Sequence, residues 1–111
     1  MIKIRMIYGG ENDTPDWAWI QIKGHANYEK RGKDIVCAGV SALFYSLMLS
    51  IVEEKWGEIR VNELPDSKEL NVEPIYKNEC KAVLKSFEKG AREIAQNYPN
   101  HCSFSIGKLG A

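Results

Sequence analysis

IVCAGVSALFYSLMLSIV, residues 35–52, is a run of eighteen residues without a single charge. How it is read decides the fold. Its length stands at the lower limit for a membrane span. Its composition points the other way, because Ser41, Ser46 and Ser50 recur through it and Gly39 and Tyr45 dilute its apolarity. The flanking sequence supplies strands that such a helix would cover. The run is therefore read as a buried core helix from Ile35 to about Trp56. Asp34 stands just before it and is a favoured N-cap residue. That choice makes Ile35 the first helical residue and places Cys37 in the first turn.

Working outward, Met1–Tyr8 alternates apolar and polar residues as a strand does, and an export signal does not. A turn of Gly, Asn, Asp and Pro follows. Trp17–Lys23, WAWIQIK, alternates again and is expected to pair antiparallel with the first strand. Trp17 and Trp19 share one face of it. That face is expected to pack against the sheet core, with an exposed aromatic platform as the alternative. Residues 24–33 form a polar loop. Beyond the first helix, Glu58–Glu63 and Leu70–Ile75 read as strands. Asn78 is expected to cap an amphipathic second helix that Pro99 stops near Asn97. His101–Gly107 reads as a last strand. Gly39 and Gly90 lie inside the helices, where a close helix–helix approach or simple tolerance would each account for them. The order ββαββαβ predicts an α+β fold, a mainly antiparallel sheet with two helices packed on one face, as one domain over residues 1–111.

Bulk properties narrow the functional classes. With 44% apolar and 27% charged residues the chain is an ordinary globular one. Fifteen basic residues balance fifteen acidic ones, so no global charge favours nucleic acid or an anionic membrane. Direct nucleic-acid and membrane partners are therefore not expected, although a local patch can survive the cancellation. Cys37, Cys80 and Cys102 are an odd set without a Cys-x-x-Cys pair, expected as reduced thiols in the cytoplasm.

The chemistry concentrates at one point. GHANYEKRGKDIVCAGVSAL, residues 24–43, puts His25 before a charged, glycine-bearing loop and Cys37 where that loop enters the helix. At a helix N-terminus the dipole and outward amides lower a cysteine pKa and can stabilise an oxyanion. An imidazole brought to that sulfur would complete the equipment for thiol nucleophilic catalysis. The plainer reading is a small buried thiol and an unremarkable polar histidine. Cys80 falls on the apolar stripe of the second helix and is expected in the core. His101 and Cys102 are adjacent, so a strand points them to opposite sides, and neither a metal site nor a cofactor is expected. Lys30, Arg31 and Lys33 read as a solvated basic loop.

These residues resemble the ribosomal-processing cysteine proteases called Prp. The resemblance rests on Gly24-His25-Ala26, Gly32, Asp34-Ile35-Val36-Cys37-Ala38 and Val40-Ser41-Ala42-Leu43, with the step from His25 to Cys37 in register. Asn27 stands where the family pattern has a loop glycine, and Gly39 where it has alanine. Asn tolerates left-handed backbone nearly as glycine does, so the loop need not change conformation. The resemblance implies a cytoplasmic endopeptidase, usually a homodimer, needing no metal or cofactor. Its substrate would be the N-terminal extension of the twenty-seventh protein of the bacterial large ribosomal subunit, cut after an aromatic residue. His25 and Cys37 carry over as a catalytic dyad. Asp34 and Ser41 match with assisting roles: Asp34 as helix cap or His25 orienter, Ser41 one turn after Cys37 on the same face. The loop bearing Asn27 and Gly32 is expected to order over substrate as a lid. A non-catalytic ribosome-biogenesis binder and a redox-sensing thiol protein are the competing classes.

Overall fold

A computed structural model describes residues 1–10, 15–24 and 34–109. Two β-hairpins alternate with two helices: β1 (Ile2–Gly9), β2 (Trp17–Lys23), α1 (Ile35–Glu53), β3 (Gly57–Leu64), β4 (Ser67–Pro74), α2 (Lys77–Asn97) and β5 (Cys102–Leu109). The strands form one sheet in the order β3-β4-β2-β1-β5. All neighbours are antiparallel except β1 and β5, which run parallel. The exception follows from the connections. Each helix is a crossover, β2–α1–β3 and β4–α2–β5, and a crossover returns the chain in the same direction. The fold is α+β in the order ββαββαβ, with a mixed, mostly antiparallel sheet.

Strand alternation puts one phase of every strand under the helices. Ile4 pairs with Ile22, Met6 with Ile20, Ala18 with Val72 and Ile20 with Leu70, all buried. Val36, Val40, Phe44, Leu47 and Ile51 of α1 and Cys80, Leu84, Phe87 and Ala91 of α2 close over them. So α1, though long and apolar enough to cross a membrane, is the core helix of this fold. At the helix crossing, a Cβ on Gly90 would come within 2.7 Å of Leu43 Cδ2, so close approach accounts for that glycine.

Some boundaries differ from expectation. Helix α1 stops at Glu53 rather than Trp56, because Lys55 turns left-handed at φ 58°. The amides of Lys55 and Trp56 then donate back to the carbonyls of Val52 and Ile51 at 3.2 and 3.0 Å, the Schellman arrangement. Helix α2 starts at Lys77 with Tyr76 in the cap position and no side-chain cap, so Asn78 lies inside the first turn. Strands β3 and β4 are joined through Pro65 and Asp66 alone, and β4 begins at Ser67. Trp17 and Trp19 are not in the core; they belong to the phase opposite Ala18 and Ile20, on the uncovered face of the sheet.

Candidate active site

The helix that buries the core also presents a thiol. Asp34 has an extended backbone, and its Oδ1 accepts from the Cys37 amide at 2.9 Å. The Asp34 carbonyl accepts from Ala38 at 3.1 Å. Asp34 is therefore the N-cap, and Cys37 is held in the first turn of α1, at the positive end of the dipole. Because the Cys37 amide is taken by the cap, the first-turn amides of Ile35 and Val36 are the ones suited to an oxyanion.

Cys37 lines a cleft of about 250 Å³ together with Gly24, Ser41, Phe44, Asp66 and Lys68. Gly24 ends β2, where its amide donates to the Asp66 carbonyl at 2.8 Å. Its φ of 92° is left-handed, and a Cβ there would collide with the Met1 carbonyl oxygen. Only glycine meets both conditions. The residue that directly precedes His25 is thus fixed on one wall of the cleft, and Cys37 stands on another. His25, Asn27, Gly32 and the expected lid over residues 26–33 lie outside the described residues. Ser41 lines the cleft one helical turn after Cys37.

The other thiols are unlike Cys37. Cys37 is half-buried, whereas Cys80 and Cys102 are buried. Burial pushes the Cys80 thiol up, and Glu79 adds to it. Burial pushes Cys102 up as well, with Cys37 adding to it. Cys80 Sγ donates to the Trp56 carbonyl at 3.4 Å. Both are kept as neutral thiols, and among the described residues no cluster of His, Cys, Asp and Glu could hold a metal.

Two lining residues escaped the sequence reading. Asp66 is brought in by the tight β3–β4 turn. Lys68 lies on the core phase of β4, opposite Ile22. Its ammonium sits 4.6 Å from the Tyr45 ring centroid and donates to Tyr45 Oη at 3.1 Å; Tyr45 Oη donates in turn to Glu63 Oε1 at 3.0 Å. The visible signal was a lysine in phase with Leu70 and Val72.

The family description for cysteine protease Prp matches residues 1–103. No curated protein matches the chain. Among solved structures, the essential ribosomal processing protease Prp from S. aureus in complex with a covalently linked product peptide superimposes with a TM-score of 0.76 at 21% identity, over 96% of this chain and 99% of that one. The same protease with a substrate peptide gives 0.72 at 19% identity, over 96% and 99%. SMU.848 from Streptococcus mutans gives 0.71 at 22% identity, over 98% and 96%. These likenesses extend the fold over nearly the whole chain, and the family match names its chemistry: the chain belongs to the cysteine protease Prp family.

Proposed function

We propose that Cys37 is the nucleophile and His25 the base of an endopeptidase acting on a ribosomal protein. The substrate in this reading is the N-terminal extension of the twenty-seventh protein of the bacterial large subunit, cut after an aromatic residue in the cytosol by a homodimer. The observation that carries the reading is the placement of Cys37, the half-exposed member of three cysteines, in the first turn of α1 and in one cleft with the residue preceding His25. The covalently linked product peptide in the S. aureus relative accords with a thiol that acylates.

The steps follow from these positions. His25 takes the Cys37 proton, and the thiolate attacks the scissile carbonyl. The oxyanion is met by first-turn amides of α1. Collapse expels the new amine, which takes the proton back from imidazolium. Water, deprotonated by His25, then hydrolyses the thioester and frees the thiol. Asp34 fixes the turn that carries the sulfur, and Ser41 presents a hydroxyl on the same face.

A synthetic peptide spanning such an extension, incubated with the protein and read by mass spectrometry, tests this. Cleavage should vanish in Cys37→Ala and fall by roughly two to four orders of magnitude in His25→Ala, while Cys80→Ala and Cys102→Ala keep it. A folded Cys80→Ala protein as inactive as Cys37→Ala would refute the assignment.

A further inference from the structure

The sheet face away from the helices is uncovered, and among the described residues its acids are confined to one half. Across the ladders, Lys3 stands opposite Lys23 and Ser103; Arg5 opposite Gln21 and Ser105; Ile7 opposite Trp19 and Gly107; Gly9 opposite Trp17 and Leu109. Among the described residues, this half of the face, on β2, β1 and β5, holds three cations and no acid. The acidic residues of the face, Glu58, Glu69 and Glu73, all lie on β3 and β4, where Arg60 accompanies them, and Glu69 Oε1 accepts from Gln21 Nε2 at 3.1 Å at the edge of the strip. Asp16, next to Trp17, is paired with Lys77 of α2. A chain with no net charge thus carries a one-signed basic strip.

Two features of the strip are costly without a ligand. Lys3 and Lys23 are directly opposed and exposed, and like charges so placed repel. An anion between them would remove that repulsion. Trp17 is 37% exposed. A Cβ on Gly9 would meet its Cε2, Nε1 and Cζ2 together at 2.5–2.6 Å, so the indole lies flat on the Gly9 backbone with its other face outward. Trp19, one step along, has the Arg5 guanidinium 5.5 Å from its ring centroid. Ser103, Ser105 and Gly107 keep the β5 margin low, and a Cβ on Gly107 would meet nothing within 4 Å.

An outward indole on a sheet, beside a second indole that carries the Arg5 guanidinium and flanked by lysines and small residues, suits unpaired bases that stack, joined by phosphates. We propose that this strip is a binding site for single-stranded RNA. Bases stack on Trp17 and on the Arg5 guanidinium that lies over Trp19, and Lys3 and Lys23 take the phosphates. RNA is the nucleic acid that a ribosomal-processing enzyme meets. The strip lies on the side of the sheet opposite the helices, whereas the Cys37 cleft lies under α1, so RNA and peptide can be bound together.

Fluorescence anisotropy of an end-labelled 12-nucleotide RNA of mixed sequence, titrated with the full chain at 50 and 200 mM KCl, tests the site. Binding should weaken as salt rises. Trp17→Ala should weaken it roughly tenfold or more, the loss of one stacked base, and Trp17→Phe should restore most of it. Lys3→Gln with Lys23→Gln should lower the salt slope by about two. Peptide cleavage by all these variants should stay at the starting rate. The proposal is overturned if no binding is seen at 50 mM KCl, or if the variants bind as the parent does. It is overturned equally if a DNA strand of the same sequence binds as tightly, if an acidic peptide displaces the RNA and binds more tightly, or if sedimentation shows that the strip joins two copies of the chain and the same variants separate them.

Discussion

Asp34 and Cys37 are joined through the first turn of α1: the Asp34 carboxylate accepts from the Cys37 amide at 2.9 Å. One residue therefore stabilises the core helix and fixes the backbone of the candidate nucleophile. Asp34→Ala should cost about 1 kcal/mol of stability, the usual worth of an N-cap. Asp34→Ser, which keeps an acceptor, should cost much less. Thermal melting separates them. Peptide cleavage should fall in the same order, since the loosened turn carries the sulfur. Equal melting of the two variants would mean that the cap is not what the carboxylate contributes.

The three thiols should differ in reactivity for a physical reason. Cys37 is partly open at a helix N-terminus, while Cys80 and Cys102 are buried and held neutral. Iodoacetamide at pH 7.5 should modify Cys37 first and abolish cleavage at one equivalent incorporated. The other two should react only when the chain is unfolded in guanidinium. Peptide mapping reads the order, and a Cys80 adduct appearing with the Cys37 adduct would contradict the burial argument.

The same burial predicts a pH dependence. Folding raises the pKa of Cys80 and Cys102, so the fold keeps protons that the unfolded chain releases from about pH 8.5. Above that pH the unfolded state binds fewer protons than the folded one, and stability falls as pH rises. Below it the two states hold these protons equally, and the two thiols impose no slope. Urea unfolding from pH 7 to 10 should show the decline, and Cys80→Ala should make it shallower. The comparison is of slopes, because the substitution also leaves a cavity.

How much of this was legible in the sequence depends on the range of the interaction. The strand and helix order was readable because periodicity is local, and the Asp34 cap lies three residues from its partner. The parallel β1–β5 pair was not, because it joins the two ends of the chain through a crossover. Nor was the side on which Trp17 and Trp19 lie. Alternation separates WAWIQIK into an all-apolar face, Ala18, Ile20 and Ile22, and a face that carries Gln21 and Lys23 beside the two indoles. The helices cover the all-apolar face, and the large apolar area of the indoles hides the signal that Gln21 and Lys23 give. Cys37 stood out beside His25 in one motif. Asp66 and Lys68 did not, because a hairpin distant in sequence delivers them to the cleft.

Gly24 is the most constrained point on that cleft. Gly24→Ala combines a left-handed φ of 92° with a Cβ directed at the Met1 carbonyl. The backbone term alone is worth about 1–2 kcal/mol, and the collision adds to it. Melting should fall accordingly. Cleavage should fall further than stability, because the distortion arises next to His25. A variant that melts early yet cleaves normally at low temperature would show that the end of β2 does not position the site.

Lys55 offers the opposite sign. It holds φ 58° at the C-terminal turn of α1, the position where helices most often use glycine. Its side chain is exposed, so the residue matters chiefly through its backbone. Two terms compete on replacement. Removing the cation forfeits a favourable interaction with the helix dipole, and adding glycine relieves the left-handed strain. Lys55→Ala loses the charge and keeps the strain, whereas Lys55→Gly loses the charge and the strain together. The charge term cancels between the two variants. Lys55→Gly should therefore be the more stable by about 1 kcal/mol, the left-handed penalty less the extra entropy of an unfolded glycine. Urea unfolding of both variants measures it. A pair of equal stability would mean that the turn relaxes around alanine, and that the amide bonds of Lys55 and Trp56 to Val52 and Ile51 do not hold the backbone in its left-handed form.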